Sequence, residues 1–515
     1  MKWLGIDLGT TYLKAALFDE RLQRLRVKRL PVNYQRSPGR ATFSATEFAR
    51  SLAELLHEFD TDDIGAIGLT GQAETMVVLD AAMQPISPFY SWMDSRAELE
   101  TEELKRHFGV SEIIAQRGSL EVDASEPAPK VLYLQRHEPE MMRRADRILM
   151  IKDYVTYLLT GEICTEKSIA YFTGYYASGR EEFWAEMLDY IGLRPEQLPQ
   201  IVEPGVSAGV TTPQAAEQFG IPAGIPVSVG ALDHFAGMIG SGNLEPGTVT
   251  ESTGTVMTMA SFARTGRFAD DTTQRSAQPH YLLDSKASGD VFLTCYYGPM
   301  PDTRVFMPVI TSGGASLEWY RDAFLPGQSF ADIDDVCLEK ESSGLAFLPY
   351  LLGSNPPEND LRASGLLYGL RNDHDAYDVA RSLMEGVAHV LRRNLTPLRT
   401  GCGAIERIIS TGGGAKSALW CQLKANVTGL EFVVPQETEA ALLGSAIMGA
   451  VAAGAYPDIN AAYAVATDCH RRNSFLPQWS EERRVAEAEY FDVLYKLMIT
   501  AGDQRRELIE LQKRG

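Results

Sequence analysis

An acidic side chain ending a buried strand, followed at once by a glycine and two hydroxyls, suits a polyphosphate and a divalent cation. The chain opens with such a run, Gly5-Ile6-Asp7-Leu8-Gly9-Thr10-Thr11. Its turn N–H groups can cradle phosphate oxygens while Asp7 orients Mg2+ or its waters. A hairpin that merely needs Gly and Thr is the alternative. Ser252-Thr253-Gly254-Thr255 repeats the chemistry halfway along, so two turns could clamp a polyphosphate from both sides. A third element, Ser410-Thr411-Gly412-Gly413-Gly414-Ala415-Lys416-Ser417, lets a planar ring or phosphate approach a helix N-terminus. No glycine stands directly before Lys416, so this is not a Walker P-loop, and a strand-to-helix loop without function is its alternative. Asp233 sits in the glycine-flanked run Gly230-Ala231-Leu232-Asp233-His234, where a helix N-cap or solvated turn acid is the plain reading.

These residues need elements to hold them. Alternating apolar runs predict strands over 2–6, 12–18 and 24–32, an antiparallel meander opening a sheet. A helix follows, with Ser44 and Glu47 as a capping box and Phe48, Leu52, Leu55, Leu56 and Phe59 on one face. Strands resume at 64–69 and 75–79. Spacing over 97–192 is mostly helical, including 129–136, 141–149 and 151–159. A β-rich run at 224–229 leads to Asp233, and the glycine-rich stretch 240–254 marks the domain boundary. The second half repeats the plan, with strands at 247–260, 291–296 and 405–410, helices at 314–324 and 418–425, and one or two terminal helices over 480–511.

A chain of 515 residues exceeds one hydrophobic core, since domains cluster near roughly 100–200 residues. With 45% hydrophobic and 23% charged residues it reads as globular. The net charge of −20, from 68 acidic against 48 basic residues, repels a phosphate backbone and argues against nucleic acid as a partner. The six cysteines are far apart, without zinc spacing, and read as reduced and mostly buried. Asp7 interrupts any signal-like apolar run and no stretch approaches ~18 apolar residues, so a cytoplasmic, non-membrane protein is expected.

Taken in order, the turns resemble those of the FGGY carbohydrate kinases, relatives of actin, hexokinase and the Hsp70-type ATPases. The resemblance covers most of the chain. It extends to Gly68-Leu69-Thr70-Gly71-Gln72, Trp92-Met93-Asp94-Ser95-Arg96, Ser125-Glu126-Pro127-Ala128-Pro129-Lys130, Ser312-Gly313-Gly314, Phe347-Leu348-Pro349-Tyr350 and Gly365-Leu366-Leu367-Tyr368-Gly369-Leu370. It implies an α/β fold of two actin-like (ribonuclease H-like) domains, each a mixed sheet flanked by helices, with a cleft between. The expected division is 1–245, 246–470 and a helical tail over 471–515.

The resemblance also implies roles. Asp233 would be the general base for a sugar or polyol hydroxyl attacking the γ-phosphoryl group of ATP. Asp7, Gly9, Thr10, Thr11, Gly254, Thr255, Gly313, Gly412, Gly413, Gly414, Ala415 and Ser417 would hold the nucleotide, and Asp7 and Asp233 the Mg2+ ion. Gln72, Ala73, Glu74, Trp92, Asp233 and His234 would face the sugar, although Glu74 reads equally as a surface acid and His234 as a packed residue. Xylulose kinases typically carry Met-His where this chain has Ala73-Glu74, and glycerol kinases carry Arg-Glu-Thr, close to Ala73-Glu74-Thr75, but the missing arginine and the Asp233-His234 pair argue against a simple glycerol kinase. Tyr133 and Leu383 also depart from the family's signatures. The expected substrate is a ketopentose such as D-xylulose, with erythritol, glycerol, ribulose and gluconate as alternatives, and the expected assembly a homodimer. A switch ATPase on the same fold would explain the phosphate turns, but not Gln72, Trp92 and Asp233 together.

Overall fold

The computed structural model describes residues 1–119, 122–264, 280–285, 289–311, 313–351, 353, 363–467 and 472–512. Ser312, Cys469 and the expected boundary at 470–471 lie outside them. The chain builds two actin-like domains, each around a sheet of the same plan. In the first, strand Lys2–Leu8 pairs antiparallel with Tyr12–Phe18, which pairs with Arg24–Pro31. On its other side run Ile64–Gly71 and Pro226–Leu232, both parallel, and antiparallel Ser207–Val210 at the edge. In the second, Thr248–Thr253 takes the place of the first strand, followed by antiparallel Met257–Arg264 and Thr303–Phe306. Its parallel neighbours are Arg407–Thr411 and Glu431–Pro435, with antiparallel Arg472–Phe475 at the edge. The turns after Asp7 and Ser252 therefore occupy equivalent places, which is the physical content of the repeated hydroxyl-glycine sequence.

Strand periodicity assigns the faces of the first sheet. Leu4, Ile6, Leu8, Ile67 and Leu69 point into a core shared with helices Ala45–Leu56 and Ile151–Thr160. The opposite face carries Gly5, Ala66 and Gly68, and there helix Ala440–Ala452, from the far end of the chain, lies directly on the backbone. A Cβ on Gly68 would stand 1.7 Å from the Ser445 carbonyl oxygen, and one on Gly5 2.3 Å from that of Leu442. The same helix packs on Asp233–Ser241, where a Cβ on Gly240 would be 1.8 Å from the Ala440 oxygen and one on Gly444 1.9 Å from that of Ala236. Helix Ala440–Ala452 is apolar on nearly every side, as a helix buried all round must be.

The N-terminal meander, the strand over Ile64–Gly71 and the helix capped by Ser44 match their predicted places. The Ser44 hydroxyl accepts from the Glu47 N–H, while the Glu47 carboxylate pairs with Arg50 at 3.6 Å. The helix predicted over 141–149 is a correction. Helix Pro139–Arg144 stops early, and Arg147–Met150 forms a strand along Met76–Leu79. Burial of Ile148, Leu149 and Met150 in succession suits a strand covered on both sides, which a short apolar run does not distinguish from a helix. The expected helical tail is helical only from Glu481 to Gln512, one helix, because Arg472–Phe475 is the edge strand of the second sheet. The five described cysteines are buried, and no described helix is long and apolar enough to cross a membrane.

The close seam makes a sharp prediction. Gly68→Ala forces the sheet and helix Ala440–Ala452 apart and lowers stability by about 1–3 kcal/mol or more in a denaturant titration. Gly237→Ala, whose Cβ would meet nothing within 4 Å, is expected to raise it by about 0.5–1 kcal/mol through helix propensity.

Candidate active site

Asp7 stands next to last in the first strand, 7% exposed, with one carboxylate oxygen 3.9 Å from the Lys14 ammonium. Its other oxygen, Oδ1, is buried without a hydrogen-bond partner. Lys14 is drawn away by Glu439 at 2.9 Å. Burial first, and then the charge of Asp233, push the Asp7 pKa up to about 7. An orphaned carboxylate oxygen beside a second carboxylate fits a divalent cation, whose charge would relieve both penalties. Mg2+ needs only one or two carboxylates once substrate phosphates supply the remaining oxygens.

Asp233 is the first residue of helix Asp233–Ser241, immediately after strand Pro226–Leu232. Its Oδ1 accepts from the His234 N–H at 2.7 Å, and His234 itself is exposed. Across from it, the segment 72–75 is braced into the first phosphate turn. Gln72 Nε2 donates to the Gly9 carbonyl at 3.2 Å, and Gln72 Oε1 accepts from Thr75 Oγ1 at 2.8 Å. Thr75 Oγ1 accepts the Trp92 N–H, and Trp92 Nε1 donates to Thr10 Oγ1 at 2.9 Å. The Gln72 amide is thus spent on the fold, whereas the Trp92 ring stays 41% exposed and available as a wall. Ala73 is buried.

Glu74 holds a φ of +63°, a left-handed conformation that a non-glycine residue keeps only when its surroundings fix it. Lys130 does the fixing. Its fully buried ammonium donates to the carbonyls of Glu74, Ser91 and Ser125, pinning three loops at once. Burial pushes the Glu74 carboxyl well above its usual value, with the Glu126 charge adding to it, and pushes the Lys130 ammonium down. Glu126 pairs in turn with buried Arg117.

In the second domain a cavity of about 470 Å³ runs from Thr253, Gly254 and Thr255 past Gly413 and Gly414 to Ser417, and on to Phe330, Asp334 and Trp420. Gly313 and Gly412 serve its construction. A Cβ on Gly313 would meet the Met257 nitrogen at 2.6 Å, and Gly412, at φ +77°, packs on Ser252 and Thr253. Ser417 caps helix Ala418–Thr428 by accepting the Trp420 N–H at 3.0 Å. Beneath the turn, Lys424 donates to Glu251 and Thr253, both at 2.8 Å, and Ser410 donates to Glu251 at 2.6 Å. Ala415 lies between the glycines and that cap.

Two family models match the chain, the N-terminal domain of the FGGY family of carbohydrate kinases over residues 2–240 and its C-terminal domain over residues 281–453. The chain belongs to this family. It is an ATP-dependent carbohydrate kinase, and its acceptor is a small sugar or polyol. A xylulose kinase from Staphylococcus xylosus is 26% identical over 459 residues, covering 87% of this chain and 90% of the relative. The ligand-bound xylulose kinase structure from Lactobacillus acidophilus superposes with a TM-score of 0.83 at 22% identity, covering 97% of each chain. Plasmodium falciparum glycerol kinase with ADP gives 0.84 at 18% identity, covering 96% and 97%.

Several residues around this candidate site escaped the sequence reading. Lys130 was visible within a family run but carried no role, because nothing in spacing shows that a lysine will meet three carbonyls. Asp334, Phe330 and Trp420 come from helices with ordinary amphipathic patterns. Lys14 and Glu439 meet across 425 residues.

Glu74 supplies a pH prediction. A carboxyl whose pKa rises on folding binds more protons folded than unfolded above its ordinary value of 4.5, so the folded state loses stability as pH climbs through that interval. Glu74→Gln removes this loss. Calorimetric scans of the ligand-free protein should show the variant melting above the parent at pH 9 and together with it near pH 4.

Proposed function

We propose that this kinase phosphorylates a ketopentose such as D-xylulose, with Asp233 as the general base. The observation that carries this reading is the pairing of Asp233, at the mouth of the first domain's sheet, with Asp7 and its unpartnered oxygen. The nucleotide's adenosine end lies in the second domain's cavity, and its phosphates reach between the Gly9-Thr10-Thr11 and Gly254-Thr255 turns. Asp7 and Asp233 would hold Mg2+, which neutralises phosphate charge when bound. The sugar lies against Trp92, with Glu74 and His234 reading its hydroxyls.

Phosphoryl transfer passes through a loose transition state, so alignment and charge neutralisation contribute most and proton removal comes late. Asp233 accepts the proton of the attacking hydroxyl as its oxygen bonds to the γ-phosphorus and ADP departs. Closure of the two domains excludes water, which would otherwise take the phosphoryl group. The relatives' names support a ketopentose. Glu74-Thr75, where xylulose kinases typically carry histidine at the first position, favours a second reading in which the acceptor is a polyol such as glycerol or erythritol.

ADP release from Mg-ATP with ketopentoses, ketohexoses, alditols and aldonates, each against a sugar-free blank, tests the substrate. One strong ketopentose response is expected, and a dominant alditol response moves the assignment to the second reading. For the base, Asp233→Asn should lower kcat by about 10²-fold or more while ATP binding, read by calorimetric titration, persists. Near-parental turnover in that variant overturns the assignment.

A further inference from the structure

The strand that delivers Asp233 is not regular. Its pairing with Ile64–Gly71 shifts register between Ser228 and Ala231, and Gly230 takes φ +63° because a Cβ there would stand 1.5 Å from the Leu69 carbonyl oxygen. Such an irregularity re-aims whatever follows it. It also leaves backbone groups that must find partners away from the regular ladder.

Two side chains supply two of those partners, and a third ties them together. Lys152 Nζ donates to the Val229 carbonyl at 2.6 Å, on the near side of Gly230. Ser168 Oγ accepts the Leu232 N–H at 3.0 Å, on the residue directly before Asp233. Glu166 joins them, taking the Lys152 ammonium at 2.9 Å, the Ser168 hydroxyl at 2.9 Å and the Ser168 N–H at 2.6 Å. The relay is sealed, with Lys152 1% exposed and Glu166 and Ser168 0%. A buried ion pair is a poor way to gain stability, since desolvation offsets its attraction, whereas it fixes geometry in one way only. The shortest route from the ion pair to the general base is one hydroxyl and one peptide unit.

We propose that Lys152, Glu166 and Ser168 are positioning residues for Asp233, gripping the irregular strand on both sides of Gly230 so that the carboxylate meets the acceptor hydroxyl. This rests on Asp233 being the base. The relay touches neither the nucleotide cavity nor the Trp92 wall, so it acts on the chemical step and not on either substrate's binding.

The experiment is a double-mutant cycle between Ser168→Ala and Asp233→Asn in the full-length enzyme. Ser168→Ala keeps the Lys152–Glu166 ion pair and the Ser168 N–H bond to Glu166, and removes the two contacts of the hydroxyl, to the Leu232 N–H and to the Glu166 carboxylate. It should lower kcat about tenfold or more, as displacement of a catalytic group does, while KM for sugar and for ATP stay within about twofold. In the Asp233→Asn background the same change should cost nothing further, because there is no base left to misplace. An equal loss in both backgrounds, or parental kcat in Ser168→Ala, overturns the proposal. Near-parental turnover of Asp233→Asn alone would instead fail the underlying assignment of the base. Glu166→Gln, which leaves Lys152 without its counter-charge, should follow the same pattern, and its melting temperature separates misfolding from misplacement.

Discussion

Everything in this kinase depends on how closely one helix is allowed to approach one sheet. Helix Ala440–Ala452 rests on the backbone of the first domain because Gly5, Gly68, Gly240 and Gly444 carry nothing that would hold it off. That contact fixes where the strand bearing Asp7 stands relative to the helix beginning with Asp233. It also brings Glu439, just before the helix, to Lys14, which shares its charge between Glu439 and Asp7. A side chain at any of the four glycines would shift the Asp7 and Asp233 carboxylates relative to one another.

Around that seam, charge is buried where loops must not move. Lys130 pins the strained Glu74 through carbonyls, Lys152 and Glu166 grip the approach to Asp233, and Lys424 and Glu251 sit beneath the Thr253 turn. Each pair costs desolvation, and each lies directly under a segment bearing candidate site residues. Asp7 is the exception. Its Oδ1 has no protein partner, and the energetic debt it carries is discharged only by something that arrives from outside.

What the sequence disclosed follows from what is local. The two hydroxyl-glycine turns, the strands before them and the glycine loop at 412–414 were legible because each needs particular residue types within a few positions. The doubled architecture was legible as a repeated order of elements, although no residue-level repeat marks it. The strand at Arg147–Met150 was read as helix because its three buried apolar residues carry no period. The roles of Lys130, of Lys14 with Glu439, and of Ser168 with Leu232 were not legible, since they depend on partners that only the folded chain supplies. Gln72 shows the converse, a residue named from the sequence as facing the sugar whose amide the fold consumes.

The seam has a further consequence, for the order in which the chain can mature. The first domain's sheet is complete in sequence by Leu232, yet the helix that covers one of its faces ends at Ala452. Ribosomes add on the order of 5–20 residues each second, so the emerging domain exposes a flat, glycine-rich face for tens of seconds before its cover exists. Trp3 and Phe18 lie on that face beside the glycines, so two large apolar side chains wait uncovered with it. The close contact that the small residues permit therefore leaves the nascent domain with a face to protect until residue 452 has been made.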